Sequence, residues 1–335
     1  MELTNWSDIQ DKFKGNILLG NGASIAIDKR LSYRSLYERV CKSGRLDDEL
    51  INMFSYFGTT NFEFIMRLLL EASQVNEVLQ IDDDDKTKNY YHGIRDSLIK
   101  TIGDIHPTYE DVERLLPKIE RFLMNFTNVL SLNYDLLVYW SIMEGNERLG
   151  CQWFKDGYVG GEFDNDFGEY MYKPQLPAKG ATLVFYPHGS LFLATDIYGN
   201  EEKLSRSKDE MLLEAILDKW KKKDYIPLFV SEGDTTAKLQ AIRRSNYLGA
   251  VYDSVLKDIR GSLVIYGWSA SGQDDHIFDA IDHEDITDIA VSVHTGNTDW
   301  ESYRGRIANR IRSTHKLKKT NLYFFDSKCK GCWIF

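Results

Sequence analysis

The feature that most constrains the fold is a short apolar run that leads directly into glycines near the start of the chain. Residues Asn16–Leu19 suit a buried strand, and Gly-Asn-Gly-Ala-Ser follows at positions 20–24. Helical spacing then predicts a helix over 31–40. Strand, glycine turn and helix form the unit that binds a dinucleotide pyrophosphate, with Gly20 in the turn and Gly22 allowing a phosphate to approach. On this stretch alone, an ordinary strand-to-helix turn is the simpler interpretation, because the six-residue glycine fingerprint is incomplete.

Composition indicates a globular protein of 335 residues, with 43% hydrophobic and 27% charged residues. One large α/β domain over 1–335, carrying insertions, fits this length. The net charge of -10 argues against a general nucleic-acid-binding surface, although it leaves room for a local basic patch. We expect a cytoplasmic protein, since the chain contains neither a long apolar run nor a signal-peptide pattern at its start.

The cysteines do not form a recognisable metal motif. There are four, and only Cys329 and Cys332 are closely spaced. A structural zinc site would need a second pair, so we expect free thiols in a reducing compartment.

A long helical block interrupts the pattern of strands. The chain over 31–126 reads as mostly helical, most clearly at Phe62–Leu79, where apolar residues recur at helical spacing. Thr108 is a candidate N-cap, and Pro117 predicts a kink or break. The block is too long for a simple crossover, so we expect a helical insertion. A second insertion of loops and a small hairpin is expected at about 145–180.

Beyond the helical block, strands alternate with helices, which predicts a doubly wound, mainly parallel Rossmann-like sheet. Pro227 favours an edge position or a strand start. A helix is expected over 239–256, broken near Gly249, and another over 300–315. The predicted strands after the first are Asn128–Leu132, Thr182–Tyr186, Ile226–Val230, Leu263–Tyr266, Ile286–Val293 and Asn321–Phe325.

Four of the predicted strands, including the first at Asn16–Leu19, are followed by polar or glycine-rich segments. In a parallel sheet the carboxyl ends of the strands share one edge, where ligands bind. Each segment alone has an ordinary explanation, such as a helix cap or a structural histidine. Their joint position predicts a site, and the segments are Gly20–Ser24, Asn133–Asp135, His188–Gly189 and Gly267–Ser269.

In this order the four segments resemble the sirtuin-like NAD-consuming superfamily. Ser131-Leu132-Asn133-Tyr134-Asp135 matches the family's Thr-x-Asn-x-Asp motif with Ser for Thr, and Gly267-Trp268-Ser269 matches its Gly-x-Ser loop. The resemblance covers about 16–293 and implies that Asn133 and His188 are catalytic. The cofactor-binding residues that it implies are Gly20, Asn21, Gly22, Ala23, Ser24, Asp135, Gly189, Gly267 and Ser269.

The chemistry of the family suits these residue types. Nicotinamide leaves the ribose through an oxocarbenium-like state, and the amide of Asn133 can orient a water or the ribose hydroxyls there. His188 is the candidate general base. Asp135 is expected to orient the ribose or to hold Asn133. Because the leaving group is already cationic, we expect no metal.

Two differences from sirtuin deacylases limit which activity the resemblance implies. Their four-cysteine zinc module has no counterpart, since no cysteine lies between His188 and Ser269, and the helical block replaces a shorter cofactor loop. Both features resemble bacterial sirtuin-like domains of antiphage systems, which hydrolyse NAD to ADP-ribose and nicotinamide. The resemblance therefore implies an NAD glycohydrolase that acts as an antiviral effector. It also implies a homo-oligomer, a partner such as a translocase-type ATPase or a prokaryotic Argonaute, or both.

Several alternatives stay open. The same residues could serve ADP-ribosyl transfer or deacylation, or the chain could bind NAD or ADP-ribose as a sensor without turnover. The basic segment 304–319 suggests a nuclease subunit, or contact with nucleic acid or an acidic partner, although a solvated helix face is the simpler interpretation. At Asp274–His276, capping by Asp274 and bracing of the Gly-x-Ser loop by Asp275 and His276 are favoured over metal ligation.

Overall fold

The computed structural model describes most of the chain. The described residues are 3–32, 36–81, 85–164, 168–196, 198–205, 211–222, 225–230, 235–270, 272–281, 284–296, 298–313 and 319–335. The strands within these ranges are β1 (Asn16–Leu19), β2 (Asn128–Ser131), β3 (Phe154–Lys155), β4 (Tyr158–Val159), β5 (Glu162–Phe163), β6 (Thr182–Phe185), β7 (Gly189–Thr195), β8 (Glu201–Lys203), β9 (Ile226–Phe229), β10 (Gly261–Tyr266), β11 (Ile286–Val293) and β12 (Asn321–Asp326).

The α-helices in the same ranges are α1 (Trp6–Ile9), α2 (Asn21–Ile27), α3 (Leu36–Lys42), α4 (Asp48–Tyr56), α5 (Phe62–Leu79), α6 (Lys86–Ile105), α7 (Tyr109–Val112), α8 (Leu116–Leu123), α9 (Leu137–Leu149), α10 (Gly168–Tyr172), α11 (Leu212–Lys222), α12 (Thr235–Arg244), α13 (Asn246–Ser254), α14 (Asp275–Ala280) and α15 (Trp300–Ser313). None of these helices is both long and apolar enough to cross a membrane.

A seven-stranded parallel sheet forms the centre of the molecule, in the order β12-β11-β10-β1-β2-β6-β3. Strands β1 and β6 are buried along their whole length, and β2, β10 and β11 are buried toward their carboxyl ends, as expected for a parallel sheet covered by helices on both faces. The predicted doubly wound α/β fold is therefore confirmed. From β1 the chain runs outward through β2 to β6, and it later returns to pair β10 with the other side of β1. This reversal makes the carboxyl end of β1 a topological switch point.

One predicted strand lies outside this sheet. β9 belongs to a separate antiparallel sheet of order β8-β7-β9, so its expected place in the parallel array was wrong. Pro227 lies on the edge strand of this small sheet, as its missing N–H requires. The unpredicted strand β7 begins at Gly189, whose φ is +74° and whose Cβ, if present, would lie 2.0 Å from the carbonyl oxygen of Leu228. Only glycine allows β7 and β9 to meet there.

The helical block has the predicted character. Helices α3 to α8 fill the chain between α2 and β2, and α5 has the predicted bounds. Thr108 forms a capping box with Asp111 at α7, and Pro117 starts α8 as a new helix. In the second insertion, β4 and β5 form the expected hairpin, while β3 joins the edge of the central sheet.

Helix boundaries differ from the predictions in two places, and a third prediction ends outside the described residues. A helix begins at Asn21, directly after β1, so the glycine segment is the first turn of α2; the helix predicted over 31–40 begins only at Leu36. The break predicted near Gly249 occurs at Ser245, whose hydroxyl caps α13 by accepting the N–H of Leu248. The helix predicted over 300–315 is described as far as Ser313.

The end of the described chain packs back against the start. Trp333 is 2% exposed, and its indole N–H donates to the carbonyl of Ala23 in α2 over 2.8 Å. Its ring also lies beside Phe122 of α8 and Tyr266 of β10. Trp333 thus holds the first turn of α2 against the central part of the molecule.

Candidate active site

A cavity of about 860 Å³ opens at the switch point. It lies at the carboxyl ends of the central strands, where open α/β sheets bind their ligands. The predicted site residues that line it are Gly20, Asn21, Gly22, Asn133, Asp135, His188, Gly267 and Ser269.

Three predicted cofactor-binding residues are not among those that line the cavity. Ala23 is buried and accepts the indole N–H of Trp333. Ser24 is 2% exposed and bonds to Asn133 and Asp135. Gly189 makes the close contact between β7 and β9 described above. These residues support the cavity wall from behind.

Hydrogen bonds fix the orientation of the Asn133 side chain. Its Nδ2 donates to the carbonyl of Gly20 over 3.0 Å and to Oγ of Ser24 over 2.8 Å. Because a carbonyl can only accept, the amide nitrogen must face Gly20, and Oδ1 is the atom left for the cavity. No described residue donates to that oxygen. Asn133 can therefore accept a hydrogen bond from a water or a ribose hydroxyl.

Asp135 determines which way the Ser24 hydroxyl points. Ser24 Oγ donates to Asp135 Oδ2 over 2.5 Å, which leaves a lone pair on Oγ to accept from Asn133. The other carboxylate oxygen accepts the N–H of Leu137 over 3.0 Å at the start of α9. Burial raises the pKa of Asp135, while His106 and the Ser24 hydroxyl act against that rise. Of the two roles predicted for Asp135, this geometry supports holding Asn133.

Two glycines bring the loop after β10 against α2. Gly267 has a φ of +67°, and a Cβ there would lie 2.4 Å from the backbone nitrogen of Ala23. The Gly22 N–H donates to the Gly267 carbonyl over 2.7 Å, and a Cβ on Gly22 would lie 2.7 Å from that oxygen. The N–H of Gly22 is therefore engaged within the protein. We call Gly20, Ser24, Asn133, Asp135 and Gly267 the asparagine half of the site.

The opposite wall is built around His188. It follows β6 at the start of the small sheet, where its carbonyl accepts the N–H of Val230 over 2.7 Å. Its Nε2 lies 2.9 Å from Nε2 of His276, the second residue of α14, and the two rings are nearly parallel. No described residue pairs with Nδ1 of His188. Burial lowers the pKa of His188 to about 3 and that of His276 to about 4, so both rings are neutral at physiological pH.

A buried ion pair completes this wall. Lys238 of α12 donates to Asp274 Oδ1 over 2.7 Å, and the indole N–H of Trp268 donates to Oδ2 over 3.1 Å. Burial raises the pKa of Asp274, but His188 and Lys238 outweigh it, so the net shift is downward. We call His188, Lys238, Asp274 and His276 the histidine half of the site.

These contacts bear on two predictions for 274–276. Asp274 makes no side-chain cap of α14, so the capping prediction was wrong. Its carboxylate contacts the Gly-x-Ser loop through Trp268, whereas Asp275 and His276, the residues predicted to brace that loop, contact Arg310 and His188. Ligand atoms of His188, Asp274 and His276 lie within 4.8 Å of one another. Lys238 already occupies one carboxylate oxygen, and its ammonium group would repel a metal cation there.

The far end of the cavity lies beside β11 and α15. Ser292 accepts the N–H of Gly267 over 3.0 Å, and the hydroxyl of Tyr303 donates to the carbonyl of Trp268 over 2.6 Å. In the basic segment, Arg310 pairs with Asp275, and Arg306 lies over the ring of Tyr303. Residues 314–318 of that segment lie outside the described residues.

Sequence reasoning did not identify Lys238, Ser292 or Tyr303 as part of the site. Ser292 lies within the predicted strand 286–293, and the position near its carboxyl end is the only local signal for it. Lys238 and Tyr303 lie on helices whose sequences read as amphipathic surface. No local pattern distinguishes them from solvated residues.

Comparison with known proteins gives a family and no activity. No curated protein matches the chain. Residues 17–333, nearly the whole chain, match a family described as a domain of unknown function, DUF4917. The protein therefore belongs to the DUF4917 family.

Proposed function

We propose that this protein is an NAD⁺ glycohydrolase that releases nicotinamide and ADP-ribose. The observation that carries the proposal is the arrangement of Asn133 and His188. Each lines the same cavity at the switch point, and each has one polar atom, Oδ1 and Nδ1 respectively, without a described partner. An acceptor and a neutral imidazole on one cavity can orient a nucleophile and accept its proton once the forming bond to the cationic C1′ has made that proton acidic.

The reaction needs little else from the protein. The bond between ribose C1′ and the nicotinamide nitrogen breaks, and its electron pair neutralises the cationic ring. Water oxygen bonds to C1′, and the water proton passes to Nδ1 of His188. Oδ1 of Asn133 accepts a hydrogen bond from the water or from a ribose hydroxyl, which holds the nucleophile at the reacting face.

The cavity also suits the rest of a dinucleotide. The cavity extends along the sheet edge from His188, past Gly20 and Gly22, to Ser292 and Tyr303. Its volume of about 860 Å³ falls within the range of cofactor sites. Nicotinamide is proposed to bind beside the histidine half and adenosine beside β11.

The test is NAD⁺ consumption by the purified chain, with nicotinamide and ADP-ribose separated by chromatography. We expect Asn133→Ala and His188→Ala to lower kcat by about 100-fold or more, because each removes a group that acts on the nucleophile. Asn146→Ala and His92→Ala are matched controls, since neither residue lines this cavity. Turnover that survives both site substitutions would refute the proposal. NAD⁺ binding without turnover would instead favour the sensor or an enzyme that needs a partner.

The resemblance to antiphage sirtuin-like domains extends the proposal to biology. We propose that the protein works in the cytoplasm as an antiviral effector that depletes NAD⁺, as a homo-oligomer or with a partner such as a translocase-type ATPase. Cells that express the chain should lose NAD⁺ upon phage challenge, and cells that express Asn133→Ala should not. Equal NAD⁺ levels in both would contradict this role.

A further inference from the structure

His276 is a fully buried histidine that the proposed reaction does not yet use. It lies in the first turn of α14, where the hydroxyl of Tyr252 donates to its carbonyl over 3.1 Å. Its Nε2 lies 2.9 Å from Nε2 of His188, 88 residues earlier in the chain. The ring centroids are 5.1 Å apart with an interplanar angle of 29°. This contact involves the ring of His188 itself, so it affects the group proposed to act as the base.

A hydrogen bond between two neutral imidazoles needs one donor and one acceptor, so it has two possible forms. In the first, Nε2 of His188 carries the proton and donates to His276. Nδ1 of His188 then has a lone pair and can accept a proton. In the second, His276 donates, and His188 carries its proton on Nδ1. That nitrogen can then only donate to a ligand, and His188 cannot act there as a base.

We infer that His276 is a positioning residue that accepts the Nε2 proton of His188 and so keeps Nδ1 of His188 unprotonated toward the cavity. This inference rests on the proposed function, in which His188 is the base. In either form Nδ1 of His276, a buried atom with no hydrogen-bond partner among the described residues, takes no part in the contact, so the need for a base at His188 decides between the two forms. A ring that served only to fill space would not need a nitrogen facing His188.

Burial, and not the surrounding charges, keeps the two rings neutral. Asp274 raises the pKa of both histidines and Lys238 lowers it, so the two members of the ion pair act in opposition. Asp275 also acts on His276, and its carboxylate is paired with Arg310. Tyr252 faces His276 from α13 with a ring that is roughly parallel to it. Because burial keeps both rings neutral, the remaining question is which ring carries the proton between the two Nε2 atoms.

The kinetic test compares His276→Phe with His276→Gln. Phenylalanine keeps the ring but cannot hydrogen bond, whereas the glutamine amide places a polar group near the former Nε2. We expect His276→Phe to lower kcat by about 100-fold while the Kd for ADP-ribose changes by less than about 2-fold. His276→Gln should recover much of the loss. If the two variants lose activity equally, or if His276→Phe is fully active, the inference is overturned.

The pH profile gives a readout that a packing defect would not change. The kcat of the wild type should be flat between pH 5 and pH 8, because His188 stays neutral there. His276 is one of the groups that lower the pKa of His188. The His276→Phe substitution removes this effect together with the acceptor of the Nε2 proton, so the acid limb of the profile should move in that variant. An unchanged limb in an impaired variant would indicate a structural role and would count against the inference.

The position of the proton can be measured without any turnover. In protein labelled with ¹⁵N-histidine, imidazole nitrogen shifts distinguish Nδ1–H from Nε2–H, and His188→Gln identifies the signals of residue 188 among the seven histidines. We expect a single Nε2–H form of His188 in the wild type and a mixture in His276→Phe. A wild-type signal for Nδ1–H would overturn the inference even if the variants do not fold. The expected shifts in a protein that does not cleave NAD⁺ would refute only the proposed function.

Discussion

The two halves of the site are held in different ways. In the asparagine half, backbone groups and a serine hydroxyl position the functional side chain, and two glycines allow the backbones of α2 and the loop after β10 to touch. In the histidine half, buried ionisable side chains position one another, through one ion pair and one contact between imidazoles. The first half depends mainly on close backbone contact, with Asp135 as its one ionisable member, and the second depends on charge and protonation.

This difference predicts how each half responds to change. Close backbone contact does not vary with pH, but it does not tolerate an added methyl group. A buried ion pair tolerates small shifts in geometry, but it is costly to break because the remaining charge stays out of water. Substitutions in the two halves should therefore differ in kind as well as in size.

The largest expected effect is in the histidine half. Lys238→Met should lower the free energy of unfolding by about 3–5 kcal/mol, because it leaves the buried carboxylate of Asp274 without its cation. Urea denaturation measures this change. Lys42→Met is the control, since Lys42 and Glu38 form an exposed pair whose loss should cost less than about 1 kcal/mol. Equal losses of unfolding free energy for the two substitutions would show that the buried pair contributes no more to stability than the exposed pair.

The next test addresses the asparagine half. Gly267→Ala should destabilise the protein by about 2–5 kcal/mol, because the new methyl group would meet the backbone of Ala23 and the left-handed φ disfavours alanine. Gly305→Ala, on the exposed side of α15 where a Cβ meets nothing within 4 Å, should stabilise it slightly. Thermal melts of both variants measure the difference. The same sign for both would contradict the close-contact argument.

The pH dependence of stability separates the halves further. His188 and His276 have pKa values of about 3 and 4 in the folded protein, and an ordinary histidine has 6.5. The unfolded chain therefore binds more protons below pH 6.5, and stability falls as pH falls. Each histidine should cost about 2 kcal/mol between pH 7 and pH 5. His276→Gln should remove its own share of this pH-dependent loss, about 2 kcal/mol, as denaturation curves at both pH values would measure. A variant that keeps the full wild-type loss would show that His276 is not held neutral.

The smallest expected effect concerns the Ser24 hydroxyl. Ser24→Ala removes the acceptor of Asn133 and the donor to Asp135, so NAD⁺ turnover should fall by about 10-fold, with a loss of stability near 1 kcal/mol. Ser141→Ala also removes a buried serine hydroxyl, one that bonds to the carbonyl of Leu137 within α9. It should cost similar stability and leave turnover unchanged. If both variants lose turnover, the effect comes from folding and not from the orientation of Asn133.

The sequence predicted most of the fold because the signals for its strands are local. Residues 16–19 and 182–185 form strands that are continuous buried runs, and such runs are visible without knowledge of their partners. The pairing of β9 was missed for the opposite reason. Its partner β7 starts at Gly189, within a His-Gly-Ser segment that reads as a turn, so an antiparallel sheet was not expected there.

The site residues also divide into those with a local sequence signal and those that only long-range packing reveals. Asn133 and His188 follow strand ends, and topology brings strand ends together, so their shared cavity was predictable. The contact between His188 and His276 was not, because it joins elements that are distant in sequence and no short-range pattern records it. Asp274 was misassigned as a helix cap because capping is the commonest task for an aspartate before a helix. The buried Lys238 competes for the same carboxylate, and only packing reveals it.

The position of β1 between β2 and β10 has a consequence for synthesis in the cell. At the usual pace of translation, β10 leaves the ribosome about 10–50 s after β1. Until then one edge of β1 has no partner, and the loop that carries Gly267 is absent from the cavity wall. A nascent chain therefore cannot complete this wall of the cavity before β10 and Gly267 have emerged. If the proposed activity is correct, a ribosome making this protein is not exposed to NAD⁺ depletion by an incomplete copy.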